Sequence, residues 1–189
     1  MDTKQLQTVH PGYAEYVYRW DYYMRSYMGA EEYRDGAYLR KYIAEDQAPG
    51  NQYEQRLLEA ALQNHVKTVV DTYRSFLFRI PPTRTLGALV DDDNAVSFIR
   101  DVDLDYTHID HFMRKVSDMV TIYGGCFIGV DRPAYAVETA AEEQALSIRA
   151  YATLYAPTNV LDWGYSKQPN GRQELTYIKL IDESYDDYD

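Results

Sequence analysis

The sequence predicts an α+β protein: a helix-rich first two thirds holding one long central helix, then a small, mostly antiparallel or mixed sheet. Three observations predict it. Apolar residues recur at helical spacing around residues 16–27, 52–77 and 107–123. After Gly124 the pattern changes to short apolar or alternating runs bounded by Gly, Pro and Asn, as strands require. No apolar run approaches the roughly 18 residues that a membrane-crossing helix needs.

The first helix is expected between Pro11, a residue suited to a helix start, and Gly29, suited to its end. Tyr16, Trp20, Tyr23 and Tyr27 recur at intervals of four, three and four and so share one face, while Arg19, Asp21, Arg25 and Ser26 fall off it. A connector at 30–36 leads to a short helical or extended piece around Tyr38, Leu39 and Tyr42, and a turn at 48–51.

Gln52 to Leu77 carries the strongest helical signal. Leu58, Leu62, Val66, Val69, Tyr73 and Phe76 are part of its wide apolar face. As one helix these residues span about 39 Å, a platform on which other elements pack. Pro81-Pro82 stops it. Asp91-Asp92-Asp93-Asn94 reads as a turn or helix start leading into Val96, Phe98 and Ile99. A second firm helix follows over 107–123, with Thr107 and Asp110 as a capping box built on the shorter acid.

Gly124-Gly125 ends that helix, and Cys126 to Val130 reads as a short buried strand. Residues 138–149 are helical by composition. Strands are expected at 150–155, 160–163 and 175–181, the last after a hairpin-type turn at Gln168-Pro169-Asn170-Gly171. One domain over 1–181 is expected, with 182–189 an acidic tail.

Composition narrows the function. The 189 residues hold 30 Asp+Glu against 19 Lys+Arg, a net charge of −11, which argues against gripping duplex DNA through neutralised phosphates. A single cysteine, Cys126, excludes a disulfide framework and Cys-rich zinc modules. The opening MDTKQLQTVHPGY lacks the apolar core of a secretory signal. Tyrosine stands out, with 20 residues against 5 Phe, and half of the tyrosines lie in the first 53 residues. A tyrosine buries a large ring yet keeps a hydroxyl that needs water or a partner, which suits half-wet subunit interfaces; a core using Tyr in place of Phe is the alternative.

The candidate chemistry is thin. Asp101-x-Asp103-x-Asp105 begins like a calcium loop, but Tyr106 and Phe112 stand where that loop needs Gly and Glu, so an acidic approach to a helix N-terminus is expected. His108, Asp110 and His111 have neither the zinc-protease spacing nor an evident third ligand, and a solvent-facing pair of first-turn histidines is expected. Gly124-Gly125-x-x-x-Gly129 fits no phosphate loop. Cys126 has no neighbouring base, and an apolar strand would raise its pKa. No nucleophile elbow and no basic run interleaved with aromatics is present. Neither a catalytic group nor a cofactor or metal site is expected.

The order of several motifs carries a resemblance. His10-Pro11-x-Tyr13, Trp20 and Tyr27-Met28-Gly29 open the chain; Tyr38-Leu39 and Tyr53-x-x-Arg56-Leu57 follow, then Phe78-Arg79-Ile80-Pro81-Pro82. Asp101-Val102-Asp103 precedes Phe112, then comes Tyr123-Gly124-Gly125-Cys126-Phe127-Ile128-Gly129-Val130-Asp131-Arg132-Pro133, and finally Tyr155-Ala156-Pro157-x-Asn159-Val160-Leu161-Asp162-Trp163. Over residues 10–181 this series resembles the N-terminal half of tailed-bacteriophage portal proteins.

The resemblance implies a wing-like region of a ring-forming structural subunit, usually a dodecamer, at a capsid vertex of the virion, assembled in the host cytoplasm. Its implied partners are copies of itself, the major capsid protein, head–tail connector or adaptor proteins, and the terminase, the last through the stem and clip regions that follow in longer portal proteins. Double-stranded DNA would pass through the channel during packaging and ejection without specific binding. Tyr16, Trp20, Tyr23 and Tyr27 are the candidate packing or interface residues. Two other readings stay open: a tyrosine-rich, non-viral protein-interaction module, and a metal-dependent enzyme using Asp101, Asp103, Asp105, His108 and His111. Neighbouring terminase and capsid genes would decide against the first, and a divalent-metal effect on melting would favour the second.

Overall fold

A computed structural model describes residues 8–29, 38–47, 50–61, 63–133, 139, 142 and 148–181. The connector at 30–36, the turn residues Ala48 and Pro49, most of the helical stretch anticipated at 138–149 and the acidic tail at 182–189 lie outside the described residues. The fold is α+β. Among the described residues the helices are α1 (Pro11–Met28), α2 (Ile43–Gln47), α3 (Gln52–Glu59), α4 (His65–Leu77), α5 (Asp93–Arg100) and α6 (Ile109–Tyr123). They precede strands β1 (Phe127–Asp131), β2 (Tyr151–Tyr155), β3 (Val160–Lys167) and β4 (Gln173–Leu180).

Helix α1 obeys its punctuation. Pro11 takes the first helical position, where its missing N–H leaves no carbonyl unpaired, and the His10 side chain accepts from Gly12 N at 3.0 Å. Gly29 closes the helix at φ 108°, a conformation that side chains resist, with its N–H on the Arg25 carbonyl.

The expected 52–77 helix is two helices. Helix α3 ends at Glu59, Ala60 turns to an extended ψ of 121°, and α4 restarts at His65. Asn64 explains the restart: its Oδ1 caps α4 by accepting from Lys67 N at 2.9 Å, and its Nδ2 donates to the Tyr27 carbonyl at 2.7 Å. The side chain thus joins the end of α1 to the beginning of α4, a contact 37 residues apart in sequence. The short α3 helix holds the segment before it. Tyr53 Oη donates to the Leu39 carbonyl, and Arg56 makes a two-pronged contact with Glu45 at 2.6 and 2.8 Å.

Helices α1, α4 and α6 contact one another, and α5 lies on α6. Asp92 caps α5 through Ala95 N. The cap of α6 is His108, whose Nδ1 accepts from Asp110 N at 3.2 Å, one residue later than the Thr107 cap expected from sequence. Helix α6 ends on Gly124 in the left-handed region, φ 83°.

The strands are antiparallel, as expected, but form two separate pairs, β1 with β2 and β3 with β4, in place of one sheet. The β3–β4 turn falls at 168–171, where expected, with Gln168 N donating to the Arg172 carbonyl at 2.8 Å. Val102, Phe112, Val116 and Ala152 form the central buried cluster, with Phe98, Ile109, Cys126 and Leu154 packed against it. Ala152 N donates to the Val102 carbonyl at 2.8 Å, so the loop before α6 is stitched to β2. The β3–β4 pair is tied to the start of α1: His10 stacks on Trp163 at 3.9 Å, and His10 N donates to the Leu161 carbonyl. Tyr13 Oη donates to the Thr158 carbonyl.

Candidate functional site

Tyr16, Trp20, Tyr23 and Tyr27 all lie on α1, as their spacing requires, but they do not act as a unit. Tyr16 and Trp20 stack at 6.0 Å, and Tyr13 meets the Trp20 edge at the same distance. Tyr27 sits half-buried at the far end, where its hydroxyl reaches Asp71 of α4 at 3.4 Å. Burial pushes the Tyr27 phenol above its ordinary range, and the nearby Asp71 carboxylate adds to the shift. Tyr16 and Tyr23 remain 41% exposed. The stripe is therefore anchored at Trp20 and Tyr27 and open at Tyr16 and Tyr23.

On the other side of α1, Tyr38 packs on Tyr22 at 5.6 Å, and its hydroxyl donates to Asp21 at 2.8 Å. The Arg25 guanidinium lies 5.4 Å from the Tyr38 ring and pairs with Asp21 at 3.0 Å. These tyrosines hold the 38–45 segment onto α1, a role that the helical spacing of α1 alone did not indicate.

The acidic run before α6 has a structural use. Asp101 accepts from Tyr106 N at 2.9 Å through one oxygen and from Arg149 at 2.6 Å through the other. Asp103 accepts from Asp105 N at 3.1 Å and Thr107 N at 3.3 Å. Burial alone would raise the Asp103 pKa; its hydrogen bonds to Thr107 and to backbone N–H groups prevail and hold it below the ordinary carboxylate range. These bonds hold two non-glycine residues, Leu104 (φ 67°) and Tyr106 (φ 62°), in the left-handed region. Asp105 contributes only its backbone N–H here. Asp110 pairs with Arg84 at 2.6 Å and lies 3.5 Å from His108 Nδ1, while His111 is exposed. Among the described residues, no three His, Cys, Asp or Glu side chains gather as a metal ion would require. Cys126 is half-buried just before β1, and desolvation pushes its thiol pKa up.

Helix α4 holds a surface whose orientation the sequence did not reveal. Arg74 and Asp71 turn toward the body: Arg74 pairs with Asp118 of α6 at 2.6 Å and with Asp71 at 2.9 Å. Only Val70 of this helix is buried. Val66, Val69, Tyr73, Phe76 and Leu77, with Ile80 just beyond the helix, are 45–71% exposed. At about 100° per residue the five helical positions among them fall within an arc of roughly 100° centred near Tyr73. A second open apolar surface lies on the β3–β4 hairpin at Tyr165, Leu175 and Tyr177. Exposed apolar side chains grouped in this way mark interaction surfaces.

Among the described residues, no helix is long and apolar enough to cross a membrane. Comparison of the sequence with protein-family models and with curated proteins found no match.

Proposed function

We propose that the chain is a structural subunit of a self-assembling ring of the tailed-bacteriophage portal type, contributing the outer, wing-like region. The observation that carries the reading is that apolar surface stays open on two separate elements, α4 and the β3–β4 hairpin. A ring closes by head-to-tail contacts, in which each copy offers two different patches to its neighbours. The ordered motif series of residues 10–181 supports the same reading, as does the half-open tyrosine stripe at Tyr16 and Tyr23.

In this reading the chain works by assembly at a capsid vertex and not by catalysis. The major capsid protein and head–tail adaptors are partners, and the terminase engages regions beyond this stretch of sequence. A net charge of −11 suits a channel past which double-stranded DNA must move without sticking, because each added cation would raise affinity through counterion release. Native mass spectrometry of the complete gene product tests the proposal. A single large ring of uniform stoichiometry is expected; a strict monomer at tens of micromolar refutes it.

A further inference from the structure

We infer that the open face of α4 on one copy of this chain seats on the β3–β4 hairpin of the next, a helix laid on a two-stranded sheet. The inference rests on the ring proposed above and names which open surface meets which.

Each surface lacks the element that the other supplies. A helix with one apolar stripe and a sheet with one apolar face are each stable only when covered, and helix on sheet is one of the few layer arrangements that does this. On α4 the stripe is Val66, Val69, Tyr73, Phe76 and Leu77. On the hairpin, Tyr165 stands opposite Leu175, and Tyr177 lies two residues along on the same face. The Tyr177 ring lies across Gly164, where a Cβ would strike it, so one ring spans both strands and broadens the platform.

The fold keeps the two surfaces of one copy apart. His10 on Trp163 and Tyr13 on Thr158 fix the hairpin at the start of α1, whereas Asn64 ties the start of α4 to the Tyr27 carbonyl at the other end. At about 1.5 Å per residue, roughly 25 Å of helix separates these ties. Helix α6 shows that α4 leads farther away. Arg74 pairs with Asp118, and Phe78 lies 5.8 Å from the Arg114 guanidinium, so α4 runs antiparallel to α6. The last residue of α6, Tyr123, shares a side-chain hydrogen bond with Thr158, beside the hairpin. A copy therefore cannot lay its own hairpin on its own α4, and only a second copy brings the two together. Such a contact is head-to-tail and uses each patch once.

Charge permits the approach. A chain of net charge −11 repels its own copies, yet neither element is net acidic. Helix α4 carries Lys67 and Arg74 against Asp71, and the hairpin carries Lys167, Arg172 and Lys179 against Asp162 and Glu174. Area is sufficient as well. With roughly 150–250 Å² for a full aromatic ring and about 100 Å² for an aliphatic side chain, the open parts of these side chains offer roughly 700 Å² of apolar surface. Since about 60% of a protein interface is apolar, the whole contact would bury roughly 1,100 Å², enough for a specific if modest interface.

Two variants of the full chain test it: Phe76→Glu spoils the α4 face and Leu175→Glu the hairpin face. Both positions are exposed, and circular dichroism melts confirm that each variant folds. In native mass spectrometry at tens of micromolar, each variant alone should be monomeric where the wild type assembles. Mixed in equal amounts, they should form a dimer holding one copy of each, at least about tenfold more abundant than any dimer of either variant alone. Nothing larger should form, because the intact α4 of the Leu175→Glu copy meets the intact hairpin of the Phe76→Glu copy and only spoiled faces remain. If the wild type forms a ring but the mixture stays monomeric, or either variant still assembles alone, the inference is overturned and the ring reading stands. If the mixture forms the dimer but the wild type forms open chains of many lengths, the inference is supported and the ring reading is removed. A wild type and a mixture that both stay monomeric overturn both.

Discussion

Replacing Asp101 by Ala removes two contacts at once. Arg149 Nη2 loses its 2.6 Å carboxylate partner, and its side chain is only 11% exposed, so little water is available to replace it. The Tyr106 N–H loses the acceptor that helps hold its left-handed backbone. Stranding one member of a fully buried pair costs about 3–5 kcal/mol. Asp101 keeps some solvent and Arg149 retains a 3.3 Å bond to the Ala150 carbonyl, so about 3 kcal/mol is expected. For a chain of this size that corresponds to a melting temperature lower by roughly 6–12 °C. Asp101→Asn keeps an acceptor for Tyr106 N and should lose about half as much. A double-mutant cycle with Arg149→Ala should return a coupling of about 1–3 kcal/mol. The assay is thermal and urea denaturation, repeated with calcium, magnesium and zinc. An Asp101→Ala protein that melts normally, but loses a metal-dependent stabilisation present in the wild type, would refute the structural reasoning and return the carboxylates to the role of ligands.

Three further outcomes follow from particular contacts. Phe112→Ala opens a hole among Val102, Val116 and Ala152 and should cost about 3–5 kcal/mol by urea denaturation. The Arg56 hydrogen bonds lower the Glu45 pKa from 4.5 to about 2; Arg56→Ala should return the carboxyl to its ordinary range in carbon-detected NMR titration. Because the folded pKa is the depressed one, the stability this pair adds is fully present above pH 4.5 and is lost as the pH falls toward about 2. Gly29→Ala forces a side chain into φ 108° and sets its Cβ 2.9 Å from Asn64 Nδ2, so a loss of about 1–3 kcal/mol is expected in the same denaturation assay.

Local punctuation made much of the fold legible. Pro11 and Gly29 set the bounds of α1, the run at 91–94 marked a turn or helix start where α5 begins, and Gly124 and the 168–171 turn set off the late strands. The break at 60–64 was not legible, because no Gly or Pro interrupts an apolar pattern that runs through Leu58, Ala61 and Leu62. It depends on Asn64 serving α4 and Tyr27 together, a tertiary contact that no local window contains. For the same reason, the division of the strands into two pairs could not be read from alternation, which marks a strand but not its neighbour.

The candidate surface was half legible. Periodicity gave the correct apolar residues on α4 but implied that they meet the body. Only Val70 does so fully; beside it on the inward side stand Asp71 and Arg74, whose partners Tyr27 and Asp118 come from α1 and α6. A hydrophobic stripe reveals that something covers it and is silent about what. The tyrosine stripe divided likewise: composition showed that rings with hydroxyls suit half-wet positions, and only the Tyr27–Asp71 contact distinguishes the closed end from the open one.

Whether the apolar face of α4 is a contact between copies is tested most directly by sedimentation velocity across a hundredfold concentration range. The wild-type chain should move from monomer to larger species as concentration rises, while Phe76→Asp stays monomeric with an unchanged circular dichroism spectrum. A wild-type chain that sediments as a monomer throughout, indistinguishable from the variant, would contradict it.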